Sequence, residues 1–262
     1  SDTIAMTEPC FDEPEVRANC IARKDGEHYV INGQKAAWVS NGSIADIAVL
    51  FCTLEPERGF RGGCVILVPL DLPGVDRPRP LDKIGQRSLN QGQIFFSEVR
   101  VPASHLVIGP DVYPFALEGM LCHGNAGMSQ LFIGVARAAL DHALDYAQER
   151  VQGGVPIVRH QSVRQRLYRM CMKVEAARAL ARRTALYLAT NPPSLQHAIA
   201  AKVFSTSTAF EVASEALQIF GGNGLTREYP VEKLLRDARA SMIEDGCNEM
   251  LGLVAGARLQ GF

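Results

Sequence analysis

Two hydrophobic periods divide the chain. Up to about residue 110 the apolar residues fall in short runs bounded by Gly, Pro and Asp. Cys20 to Val30 alternates loosely around Lys24-Asp25-Gly26, a tripeptide suited to a hairpin turn. Asp46 to Leu54 and Gly63 to Leu70 are β-branched-rich runs, and Gln93 to Val99 is a further strand. Proline in Arg100-Val-Pro102 ends the pairing of that strand. Short strands with turns at this spacing predict a small antiparallel barrel or sandwich.

After Pro114 the period becomes helical. Ala136, Leu140, Ala143 and Ala147 outline a first helix. Val163, Leu167, Met170, Val174, Ala177, Ala181, Thr184 and Leu188 outline a second. Ile199, Val203, Thr206, Phe210, Ala213, Leu217 and Phe220 outline a third. Apolar positions spaced by four and three over such lengths predict long helices packed near-antiparallel in an up-and-down bundle. Asn191-Pro-Pro193 separates the second and third, with Ser194 as N-cap. Shorter helices follow from about Pro230 to Ala240 and from about Asp245 to Leu259. The fold class is therefore α+β: a β domain over 1–112 and a helical domain over 113–262, divided in the connector Leu106 to Pro114.

One stretch carries chemistry. Gln218-Ile-Phe-Gly-Gly-Asn-Gly224 breaks the third helix, and Glu244 and Asp245 stand before Gly246 further on. Glycines between helices let backbone amides approach a phosphate, and helix N-termini favour negative charge. Taken alone, such glycines equally serve as helix stops, and paired acids at a helix start offset its dipole. Trp38, the only tryptophan, lies in Ile31-Asn-Gly-Gln-Lys-Ala-Ala-Trp-Val-Ser-Asn41. It reads either as a core residue or as a flat surface against a planar ligand, with the Ser40 hydroxyl beside it. The arginines of the second helix and Arg87 read as solvated charges, His160-Gln161 as a helix start, and His123 as structural.

Composition narrows the picture. With 262 residues, 47% apolar and 21% charged, the chain has the make-up of a globular protein. A net charge of −1 gives no footprint for nucleic acid. No apolar run reaches a membrane span, and the start lacks a basic-then-apolar leader. Seven irregularly spaced cysteines without a C-x-x-C pair predict reduced thiols and no metal site. The expected location is the cytoplasm, or the mitochondrial matrix in a eukaryote. The first residues, Ser-Asp-Thr, lie in what reads as a strand and lack Met, which predicts a fragment or a processed chain. No Ser-His-Asp order, P-loop or dinucleotide fingerprint is present, which removes the hydrolase and phosphoryl-transfer classes.

From Thr7-Glu-Pro9 onward the sequence resembles the acyl-CoA dehydrogenase family of flavoproteins over nearly its whole length. The resemblance is carried by Met6-Thr-Glu-Pro9, Trp38-Val-Ser40, Phe95-Phe-Ser-Glu-Val-Arg-Val-Pro102, Glu149-Arg150, His160-Gln161, Gln218 to Gly224 and Tyr229 to Ala238. It implies a middle β-barrel followed by a helical bundle, assembled as a homodimer or homotetramer. It implies FAD, with Met6, Thr7, Trp38, Val39 and Ser40 at the isoalloxazine ring. Arg150, His160, Gln161, Gln218, Gly221 and Gly222 would serve the pyrophosphate and adenine end, across a subunit interface. It further implies an acyl-CoA substrate against Gly246, and an electron-transfer flavoprotein or similar acceptor. Asp245 would take the α-proton, with Glu244 as second choice, and the β-hydrogen would leave as hydride to flavin N5. Glu244 is expected to raise the pKa of Asp245 by like-charge repulsion.

The sequence also departs from the family. It includes no N-terminal helical domain, and Cys10-Phe-Asp-Glu-Pro14 replaces a Gly- and Ser-containing segment. Asp245 stands where Glu is usual, about 1 Å shorter in reach, and a misplacement of about that size costs up to ~10²-fold in rate. Where other branches carry the base on the first bundle helix, this chain has His123-Gly-Asn125. Two alternatives therefore stay open: an acyl-CoA-binding or partner subunit without catalysis, and a flavin oxidase or oxygenase.

Overall fold

In the computed structural model, which describes residues 2–5 and 20–259, the chain divides into two units. One comprises Ser1–Lys83 and Arg87–Leu117, the other Ile84–Gln86 and Glu118–Phe262.

The first unit is an eight-stranded sheet. Its strands are β1 (Asp2–Ala5), β2 (Ile21–Asp25), β3 (His28–Ser40), β4 (Ile47–Thr53), β5 (Gly63–Pro69), β6 (Val75–Asp76), β7 (Gln91–Pro102) and β8 (Leu106–Ile108). They run in the order β6-β7-β3-β2-β4-β5-β8, with β1 beside β4. Most neighbours are antiparallel, whereas β1 and the single β2 bridge pair with β4 in parallel. The expected barrel is thus present as a sheet left open between β6 and β8. The β2–β3 hairpin turns where the sequence predicts, because Gly26 takes φ +59°, a conformation that costs glycine nothing. Strand β7 continues past Val99 until Pro102 lies opposite His28, since proline at a strand end forfeits only its own donor. Ile31, Leu50, Ile66, Ile94, Val99 and Val101 fill the core. Cys52 and Cys64 face each other across β4 and β5 with sulfurs 3.5 Å apart. The contact with Cys64 and burial together hold the Cys52 thiol protonated. No described cysteine forms a disulfide.

The second unit is built from α1 (Tyr113–Glu149), α2 (Gln161–Thr190), α3 (Leu195–Phe220), α4 (Val231–Ser241) and α5 (Asn248–Gly256). A hairpin of β9 (Val151–Gln152) and β10 (Val155–Pro156) joins α1 to α2. The residues buried along α2 are Leu167, Met170, Val174, Ala177, Ala181 and Thr184, the stripe expected from the pattern. Helix α3 is buried on most sides, because α2, α4 and α5 all pack on it. Ser194 is the N-cap residue of α3 as expected, although its hydroxyl bonds His197 Nδ1 at 2.6 Å and caps no backbone amide. One expectation is corrected. The last helix begins at Asn248 and not at Asp245, because Asp245 (φ +52°) and Gly246 (φ +95°) are left-handed.

Candidate active site

The two acids lie in the turn between α4 and α5, which Asn248 N closes by donating to Met242 O at 2.9 Å. The backbone treats them differently. Glu244 is half-buried and accepts a hydrogen bond from Gln86 Nε2. Asp245 sits at φ +52°, a conformation that costs a non-glycine residue roughly 1–2 kcal/mol and that Asp tolerates better than most. Its carboxyl is exposed and forms no hydrogen bond or ion pair among the described residues. Its N–H likewise has no acceptor among them. Although solvent reaches the side chain, the surrounding protein desolvates the carboxyl enough to raise its pKa, and the Lys202 ammonium pulls the other way. Desolvation, and not the neighbouring Glu244, is therefore the cause of the upward shift.

Three residues that the sequence reading passed over hold this turn. Lys202, fully buried on α3, donates from Nζ to Gly246 O at 2.7 Å and to Asn248 Oδ1 at 2.9 Å. Asn248 Nδ2 in turn donates to Thr206 Oγ1 at 3.0 Å. Gln86 donates from its backbone N to Asp237 Oδ1 at 2.5 Å, while its side chain reaches Glu244. The one available signal was a lysine in the middle of an apolar helix pattern.

The glycine turn follows α3. Gly221 takes φ +60° and its N–H closes on Gln218 O. A Cβ on Gly224 would lie 2.6 Å from Leu217 O, so the chain needs glycine there too. Around Gly221 and Gly222 the space is open. Asn223 Nδ2 fixes the turn by donating to Tyr146 Oη of α1 at 3.0 Å. Tyr146 stacks on Phe220 with centroids 4.0 Å apart, and Tyr229 meets both edge-on.

Gln218, Gly221 and Gly222 are exposed, as are Arg150, His160 and Gln161 beside the β9–β10 hairpin. Arg150 forms no ion pair among the described residues. His160 Nε2 contacts Gln152 O at 3.1 Å, which ties the start of α2 to the hairpin. In the sheet unit, Trp38 is 57% exposed, so the core reading of this residue fails. Ser40 Oγ lies 3.4 Å from Gln91 Nε2. Val39 points into the core at 2% exposure and has only backbone to offer a ligand. Met6 and Thr7, with Cys10, Phe11, Asp12 and Glu13, lie outside the described residues.

Each unit by itself holds features that suit part of a flavin nucleotide: an exposed indole with a hydroxyl two residues on in the sheet unit, and in the helical unit open glycine backbone and an exposed arginine without an ion pair among the described residues. No group of His, Cys, Asp and Glu able to hold a metal occurs among the described residues.

Two family profiles together cover most of the chain. Residues 3–99 match the profile of the acyl-CoA dehydrogenase middle domain, and residues 115–260 match that of its C-terminal domain. The probable acyl-CoA dehydrogenase YngJ of Bacillus subtilis is 34% identical over 98% of this chain and 68% of its own length. The structure of butyryl-CoA dehydrogenase from Megasphaera elsdenii superposes with a TM-score of 0.90 at 32% identity, covering 99% of this chain and 68% of that one. The prolyl acyl carrier protein oxidase AnaB superposes with a TM-score of 0.92 at 25% identity, covering 100% and 68%. The chain spans 62 to 68% of the length of the curated relatives it matches. With both domain profiles in chain order and a third of the residues shared along almost all of its length, this chain belongs to the acyl-CoA dehydrogenase family.

Proposed function

We propose that the chain catalyses the α,β-dehydrogenation of an acyl-CoA thioester, with FAD as cofactor and Asp245 as base. The observation that carries this reading is the unequal treatment of two adjacent acids. Glu244 is engaged by Gln86, whereas Asp245 presents an unpartnered carboxyl whose affinity for a proton is raised by desolvation. A general base works best when its pKa approaches the working pH, and this shift moves Asp245 in that direction.

Asp245 takes the α-proton of the thioester, and the electron pair left behind forms the new double bond as the β-hydrogen leaves as hydride. Flavin, when bound, supplies the acceptor for that hydride. The free N–H of Asp245 donates to the negative charge developing on the thioester oxygen, and a donor fixed in advance at such a position is commonly a large catalytic term. We assign Trp38, Ser40 and the backbone of Val39 to the flavin ring. Arg150, His160, Gln161, Gln218, Gly221 and Gly222 are assigned to the diphosphate and adenine end in a homodimer or homotetramer. An electron-transfer flavoprotein is the acceptor we assign downstream. The likeness to a prolyl acyl carrier protein oxidase favours one second reading, in which oxygen is the acceptor.

The test is the visible spectrum of the purified protein, reconstituted with FAD and titrated anaerobically with butyryl-CoA. Bleaching of the flavin band is the expected result. A protein that takes up no FAD overturns the proposal, and spontaneous recovery of the colour in air moves it to the oxidase.

A further inference from the structure

A lysine side chain fully withdrawn from water is costly unless its charge and its three donors are engaged. Lys202 is such a side chain, at 0% exposure in the middle of α3. Its two hydrogen-bond acceptors are neutral: the Gly246 carbonyl at 2.7 Å and Asn248 Oδ1 at 2.9 Å. Both lie just C-terminal to Asp245, in the turn that carries it. The arrangement is closed from behind, since Asn248 also donates to Thr206 Oγ1, one turn further along α3, and Thr206 Oγ1 donates to Lys202 O at 2.9 Å. The hydrogen bonds therefore go to the turn's backbone and leave the carboxylate free. Neutral acceptors do not balance the charge. Burial holds the Lys202 pKa below its ordinary value, and the acids around it act against that: Asp245 first, then Glu244 and Glu249. Seen from Asp245, Lys202 is the charge that acts on it among the described residues.

We propose that Lys202 is the positioning residue of the site: its buried amine fixes the left-handed turn at Asp245 and Gly246 through the Gly246 carbonyl and Asn248, and leaves the Asp245 carboxyl free to accept a proton. This rests on Asp245 being the base. A chain with a neutral residue at 202 would lose two effects at once. The turn would lose the bonds that compensate its strained backbone, and the carboxyl would be left with desolvation unopposed.

The experiment measures both effects without turnover. In the purified chain, hydrogen exchange is followed at the amides of Asn248 and Leu251, which donate to Met242 O and Cys247 O, and the Asp245 carboxyl is titrated by carbon NMR with selective Asp labelling. In Lys202→Met, an apolar residue of similar length, exchange at these amides is expected to rise about tenfold or more, the equivalent of one charge-assisted hydrogen bond. The Asp245 titration is expected to move up, and the acid limb of flavin reduction by butyryl-CoA to move up with it. A Lys202→Met protein in which Asp245 titrates as in the wild type overturns the proposal, because a purely structural lysine would loosen the turn without moving that midpoint. If Lys202→Met does not fold, the reciprocal measurement decides. In Asp245→Asn the Lys202 amine, followed by nitrogen NMR, is expected to titrate lower than in the wild type, and an unchanged amine sinks the idea. Failure of wild-type flavin reduction would count against the dehydrogenase reading alone, since neither NMR titration depends on it.

Discussion

At the scale of single residues, the two adjacent acids give opposite predictions. Asp245→Asn should lower the rate of flavin reduction by about 10²–10⁴-fold, the usual worth of a positioned general base, while FAD stays bound. Glu244→Gln keeps an acceptor for Gln86 and should change the rate only slightly; rapid-mixing kinetics on both variants separates the assignments. The pH dependence follows from the raised pKa of Asp245. If Asp245 is the base, as proposed, its ionised form carries the reaction and the rate should fall as pH falls through a midpoint above 3.8, the ordinary value. The stability effect has the opposite sense. The folded carboxyl holds its proton more tightly than the unfolded one, so between those two midpoints Asp245 makes the protein less stable as pH rises. Asp245→Asn should therefore cost no stability at neutral pH, measured by denaturant titration.

At the scale of elements, the turn from Gly221 to Leu225 separates fold from function. Gly224→Ala places a Cβ 2.6 Å from Leu217 O and should cost on the order of 1–3 kcal/mol, read as a drop in the thermal midpoint. Gly222 has open space around it and an ordinary φ, so Gly222→Ala should leave the midpoint nearly unchanged. If the turn serves the diphosphate of FAD, the same variant should bind FAD more weakly in equilibrium dialysis; unaltered affinity would remove the turn from the cofactor site. This turn was legible in the sequence, because helix periodicity on both sides and a dense run of glycines are local signals. The helices were legible for the same reason. Lys202 and Gln86 were not, because their partners lie 44 and 158 residues away in the chain, and no local pattern encodes such a meeting. The late start of α5 was missed for a related reason: Asp245 holds a left-handed backbone that its residue type permits but does not announce.

At the scale of the whole molecule, the surface is nearly neutral in net charge and carries apolar side chains in quantity. Met250, Leu253 and Val254 stand exposed on one stripe of α5, with spacing of three and one. No described helix is long and apolar enough to cross a membrane. The expected outcome is association in water: sedimentation velocity should show species heavier than the 28.5 kDa chain, largely insensitive to salt. Leu253→Lys should shift the distribution toward the monomer.

The strap formed by Ile84, Gly85 and Gln86 bears on how such a protein could be recombined. These residues are encoded among strands, yet they belong to the helical unit. Arg236 donates to Ile84 O at 2.5 Å, and a Cβ on Gly85 would lie 2.2 Å from Arg236 O. A gene cut at the start of α1 and fused to a relative's first half would thus take a borrowed strap, while Asp237 and Glu244 would meet whatever residue that relative carries in place of Gln86. The heritable module is discontinuous, and successful chimaeras of this chain should be those whose exchanged segment takes the three residues along with the helices.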